Sequence, residues 1–254
     1  MSIQFNDTTT YKGLVQLYEK ELGLNRGDVS GDTDRLKEFT ADVNIAFDDF
    51  LTIAIPASGK WQYDDSNHTD YPVMTTNLVS GQRDYSISTD GNSNLVLDIY
   101  KVLILPSATS TLYQSIEPID EFDGDTDIIT GNTVTGTPYG YGKLANGVFL
   151  EPKPNYNATS GLKIFINRES SYFAYTDTTK KPGVPGILQK YFYLKPAREY
   201  ARRYSLACFA GLNDAVLKME GSEEQGIQGE IAKYFSRRAK DEVQLLENEE
   251  IIYQ

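Results

Sequence analysis

The chain has 254 residues, 40% of them hydrophobic, enough for one large domain or two small ones with real cores. With 24 basic and 36 acidic residues its formal net charge is −12, so as a whole it lacks the positive surface that grips a nucleic-acid backbone non-specifically. A single cysteine, Cys208, excludes an intrachain disulfide and a cysteine-built zinc site.

Met1 to Asp7 carries no basic-then-apolar leader, and no stretch approaches the roughly 18 apolar residues of a membrane span. The expectation is a soluble protein of a reducing compartment with no membrane partner. In chain order, Thr10 is placed to cap a first helix on which Leu14, Leu17, Tyr18 and Leu22 recur at helical spacing, broken by Gly23 and Gly27. Beyond a polar loop, Leu36, Phe39, Val43, Phe47, Phe50 and Leu51 form an amphipathic stripe, capped by Asp32 or Thr33 and ended by Pro56 with Gly59.

From about Thr75 to Glu169 the period becomes that of strands. Tyr85-Ser86-Ile87-Ser88 alternates, Leu95 to Leu105 is β-branched, and Val148-Phe149-Leu150 and Leu162 to Ile166 are short strand-like runs. Asp90-Gly91-Asn92, Gly131-Asn132, Asn146-Gly147 and Ser160-Gly161 read as turns between them, with a hairpin at Asn146-Gly147. Pro182-Gly183-Val184-Pro185 leads into a second stripe of Ile187, Tyr191, Leu194, Ala201, Tyr204, Cys208 and Leu212, in which Pro196 predicts a kink or a split. Ser222-Glu223-Glu224-Gln225 has the form of a capping box, opening a last helix with Ile227, Ile231, Tyr234, Phe235, Val243 and Leu246. The predicted fold is α+β: an antiparallel helical bundle from 1–74 and 183–254, with 75–182 inserted as an antiparallel β sandwich or small barrel.

The chemistry is sparse. His68, the one histidine, sits among Asp65, Ser66, Asn67, Thr69 and Asp70, a polar loop rather than a catalytic set. Cys208 lies on an apolar stripe and reads as a packed thiol. Gly136 to Leu144 ends in Gly-Lys, but the spacing is wrong for a phosphate loop and Leu144 replaces its Ser/Thr. Asp120 to Asp127 alternates carboxylates as a calcium loop does. Ile128 and Val134 then occupy the glycine and glutamate positions, which favours a solvated acidic loop over an ion site. No catalytic residue, cofactor or metal is assigned. The 18 tyrosines suit either an interface or an ordinary Tyr-rich β region. Lys190, Lys195, Arg198, Arg202 and Arg203 form a local basic cluster. Arg198 and Arg202, four apart, share a helix face and are expected to meet acidic residues of a neighbouring subunit rather than nucleic acid. Arg237-Arg238 and Lys240 read as a solvated face.

Several phrases stand in a telling order. Ala46-Phe47-Asp48-Asp49-Phe50-Leu51 closes the N-terminal stripe, and Thr76 to Ile87 opens the β region. Gly136-Thr137-Pro138-Tyr139 and Gly147 to Pro154 come next, then Leu162 to Ile166, Pro182 to Pro185, and a long helix with Ala197, Tyr200, Ala201 and Tyr204. Laid end to end, these segments resemble the head-to-tail adaptor (connector) proteins of tailed bacteriophages, the ring subunits under the portal, including tail tubular protein A-like adaptors. The likeness spans nearly the whole chain and rests on order, not on one motif.

That resemblance implies a non-enzymatic virion protein at the head–tail junction, made in the host bacterial cytoplasm and assembled as a homo-oligomeric ring of about twelve copies. It implies contacts with the portal protein and with tail or nozzle proteins, and genomic DNA passing through the lumen, at ejection, without sequence-specific binding. An acidic lumen that repels phosphate would let DNA slide. In such adaptors the C-terminal segment docks into the portal or a neighbouring subunit. Here Ile251, Ile252, Tyr253 and Gln254, apolar after the acidic run Glu247 to Glu250, are expected to do so, and packing back on their own helix is the other reading. The alternative function is a carbohydrate- or protein-binding β module of a phage tail or surface structure, using the Tyr-rich strands for ring stacking.

Overall fold

The structure, a computed structural model, describes residues 3–58, 73–90, 95–119, 134–144, 147–222 and 227–237. The chain forms two compact units, Met1–Asp70 with Ser170–Gln254, and Tyr71–Glu169.

The second unit is built on one curled, seven-stranded sheet in the order β1-β9-β3-β4-β6-β7-β2. Its strands are β1 (Val73–Leu78), β2 (Asp84–Ser86), β3 (Val96–Ile104), β4 (Gln114–Pro118), β6 (Gly140–Leu144), β7 (Gly147–Glu151) and β9 (Ala158–Arg168). Between β4 and β7 in the chain, β5 (Thr135–Gly136) pairs separately with β8 (Lys153–Pro154). Alternation sets the buried face: Ile104 lies opposite Leu162, Val102 opposite Ile164 and Ile99 opposite Ile166, all inside. Val148 and Leu150 of β7 extend the same core. Two ion pairs are buried in this unit, Arg83 with Glu151 at 2.5 Å and Arg168 with Asp90 at 3.3 Å.

This sheet overturns the expected fold. The chain is α+β, but it is not a helical bundle with a small antiparallel insertion: the curled half-barrel dominates, and it is mixed. β4 and β6 run parallel, Glu117 opposite Gly140 and Pro118 opposite Tyr141. Periodicity marks a strand but carries no information on its partner, and a parallel neighbour needs only a crossover long enough to return the chain.

Two turn readings fared differently. Leu144 is paired with Gly147, so β6 and β7 are antiparallel neighbours in chain order, but Gly147 is the first residue of β7 and not part of a turn, and Asn146 lies outside the described residues. Ser160-Gly161 is no turn. It is a bulge inside β9, where pairing slips from Thr76–Leu162 to Leu78–Ala158 and Ser160 takes φ 52°. A Cβ on Gly161 would lie 2.8 Å from that of Ala158, so glycine is needed for the close approach.

The first unit comprises α1 (Leu14–Glu21), α2 (Thr33–Ser58), α3 (Tyr191–Arg203), α4 (Phe209–Glu220), a two-stranded β10 (Gly221–Ser222) and β11 (Ile227–Gln228), and α5 over 230–237. All six residues of the α2 stripe are buried, and Asp32 caps the helix by accepting from the Asp34 and Arg35 amides at 3.0 and 3.2 Å. Phe47 stacks on Phe192 with centroids 4.2 Å apart, and Phe5 on Phe173 at 4.6 Å. Phe5 belongs to an N-terminal segment stitched to the chain beyond the sheet: its amide donates to the Lys180 carbonyl at 2.7 Å, and that of Asn6 to Thr178 at 3.0 Å. Buried Gln189 fastens the same join, accepting from the Ile3 amide and donating to the Val184 carbonyl.

Several helix ends differ from expectation. Thr10 does not cap α1; Asp7 takes the Thr9 and Thr10 amides into a turn, and Gly13 occupies the N-cap. Gly23 does end α1, at φ 69°, with the Leu24 amide returning to Glu19. Pro196 lies inside α3 without splitting it, and Pro56 inside the last turn of α2. The long second stripe breaks instead after Arg203. Ser205 takes φ 52° and the Leu206 amide bonds the Ala201 carbonyl at 2.9 Å, a Schellman closure normally made by glycine. Ser222 opens no helix; it pairs with Ile227 in β10–β11, and α5 starts only at residue 230.

Candidate functional site

The basic residues singled out on α3 are brought together, but largely with acids of their own chain. Lys195 reaches Asp49 of α2 at 3.0 Å and Glu220 of α4 at 2.6 Å. The Tyr191 hydroxyl donates to the same Glu220 oxygen at 2.6 Å. Burial, helped by that bond to an acid, pushes the Tyr191 hydroxyl well above its usual range. Arg198, 14% exposed, donates twice to Glu199, at 3.0 and 2.6 Å, and lies 3.5 Å from Glu220. Three helices are thus clasped at one point by Lys195, Arg198 and Glu220.

Arg202 is different. It is 71% exposed and, among the described residues, is held by Glu199 alone, at 2.8 Å. Glu199 bridges the two arginines; its burial is outweighed by the Arg198 hydrogen bond and by the charges of Arg198, Arg202 and Lys195, so its carboxyl lies below the usual range. Arg203 pairs with Asp42 of α2 at 3.3 Å, where burial nevertheless raises the Asp42 carboxyl. Exposed Tyr204 packs its ring at a tilt against Tyr200 beside them, centroids 4.5 Å and planes 42° apart. Arg198 is therefore a positioning residue inside the unit, while Arg202 and Tyr204 present a cation and an aromatic ring to solvent. The sequence placed both arginines on one face but not the carboxylates beneath them, because Asp49 and Glu220 come from distant segments. Glu199, adjacent in sequence to Arg198, was the legible signal.

A second arrangement lies where the turn before α3 meets α5. A groove of about 650 Å³ is bordered by Ile187, Lys190, Glu230, Lys233, Tyr234 and Arg237, with Leu188 at its base. Lys190 and Glu230 pair across it at 2.9 Å. Arg237 was read as part of a solvated face, and Lys233 carried no signal beyond lying four residues before it on the same helix face.

The remaining sequence candidates Ile251, Ile252, Tyr253 and Gln254, with His68 and the Asp120 to Asp127 loop, lie outside the described residues. Cys208 is half-buried at the N-cap of α4, against the core. Among the described residues no cluster of three or more His, Cys, Asp or Glu side chains is arranged to hold a metal ion, and no helix is long and apolar enough to cross a membrane. No protein-family model and no curated protein matches this chain.

Proposed function

We propose that this chain is the ring-forming subunit of a bacteriophage head-to-tail connector, joining the portal to the tail around the DNA channel. The observation that supports it is the way the chain is divided. Residues before 71 and after 169 close a single aromatic core, so the sheet unit is an insertion with a core of its own. That order, helices then strands then helices, is the order on which the likeness to connector subunits rests. A clasped helical body that leaves Arg202 and Tyr204 exposed also suits a subunit that must keep its shape while meeting copies of itself; opposite charges there fix register between neighbours.

The test is particle mass. The purified chain, alone and mixed with the portal protein of the same phage, is examined by native mass spectrometry and negative-stain microscopy. A closed ring of about twelve copies, free or on the portal, is expected. A monomer at every concentration that ignores the portal would refute the assignment.

A further inference from the structure

The groove between Ile187 and α5 has the chemistry of a peptide seat. Among the described residues, Lys233 and Arg237 form no ion pair, the groove's Glu230 being taken by Lys190, and Ile187 is 67% exposed at the rim. Two unopposed cations beside an isoleucine and a tyrosine suit a ligand that is acidic and then apolar. Such a segment follows directly in the chain. Beyond Arg237, residues 241–254 carry Asp241, Glu242, Glu247, Glu249 and Glu250, then Ile251, Ile252 and Tyr253. Spacing agrees as well. Side chains four apart on a helix lie roughly 6 Å from one another. Residues two apart on an extended chain point the same way about 6.6 Å apart, so Glu247 and Glu249 match Lys233 and Arg237.

We propose that this groove seats the C-terminal segment of the same chain, with Glu247 and Glu249 against Lys233 and Arg237, and Ile251 to Tyr253 against Ile187 and Tyr234. The tether decides between this and a neighbouring copy. Covalent attachment only a few residues away holds a segment at an effective concentration on the order of millimolar, far above that of free copies in dilute solution. The inference does not depend on the connector assignment. Were both to hold, the groove would store the segment until a partner with more contacts drew it out.

Zero-length carbodiimide cross-linking of the full chain, prepared as an equal mixture of unlabelled and ¹⁵N-labelled protein, tests it. Peptides joining Lys190 or Lys233 to Glu247, Glu249 or Glu250 are expected, each of a single isotope. Lys233→Glu with Arg237→Glu should lose the Lys190 links while circular dichroism stays unchanged. Adding Glu247→Lys and Glu249→Lys should restore links between the two sites. Mixed-isotope peptides would overturn the proposal in favour of a second copy, and absence of any such link would overturn it outright. Neither result touches the ring-mass test, so the two readings fail separately.

Discussion

Replacing Arg198 and Arg202 in turn separates support from display. Arg198→Met keeps the apolar stem and removes the guanidinium. It loses two hydrogen bonds to Glu199 and the longer contact to Glu220, at a site where the arginine is 14% exposed. Hydrogen bonds to charged groups contribute about 1.5–3 kcal/mol each, but these two share one acceptor oxygen and Glu199 retains Arg202. A loss of about 2 kcal/mol is therefore expected, with a fall in melting temperature of about 4–8 °C for a chain of this size. Arg202→Met removes one ion pair of a residue 71% exposed, for which about 0.5 kcal/mol or less is expected. Urea titration followed by circular dichroism reads both as shifts of the midpoint at constant slope. On the connector reading, Arg202→Met should weaken ring formation while moving that midpoint by no more than this small amount. Equal midpoints for the Arg198 and Arg202 variants would refute the division of roles.

Three further outcomes follow from buried polar groups. Buried Glu19 accepts the amides of Val29 at 2.9 Å, Ser30 at 2.8 Å and Gly27 at 3.3 Å, so it shapes the loop between α1 and α2. Glu19→Ala should cost about 2–3 kcal/mol, chiefly from the buried Val29 amide, and Glu19→Gln clearly less; equal losses in a thermal melt would argue against this anchor. Arg83→Ala removes the cation paired with buried Glu151 in the sheet unit, where breaking a buried pair costs about 3–5 kcal/mol. Hydrogen exchange should rise in β2 and β7, and an increase confined to the helices would contradict it. Finally, the Glu199 carboxyl is depressed in the folded chain. Its contribution is whole above the ordinary value of 4.5 and is lost as pH falls through the lower folded value. Glu199→Gln should therefore flatten the stability profile below pH 4.5; an unchanged slope there would show that other carboxylates govern it.

What the sequence determined by itself was local. The α2 stripe from Leu36 to Leu51 is buried residue for residue, because a 3.6-residue period is written in the side chains alone. Gly23 and Asp32 were legible for the same reason, since each is decided by its neighbours in the chain. Where local preference met tertiary packing, packing won. Ser205 took the left-handed position that glycine normally fills, Pro196 was accommodated within α3, and Ser222 joined a strand pair rather than a capping box.

Strand partnership belonged wholly to the tertiary structure. Glu117 and Pro118 carry nothing that names Gly140 and Tyr141 as parallel neighbours, so an insertion expected to be small and antiparallel became the dominant curled sheet. The same distance in sequence hid the clasp of Lys195 with Asp49 and Glu220, and the placing of Ile187 beside Lys233 and Arg237. A hydrophobic period tells a chain which face to bury. Which carboxylate meets which cation is decided only when segments far apart in the chain close on one core, because ion pairs form wherever packing leaves opposite charges within reach.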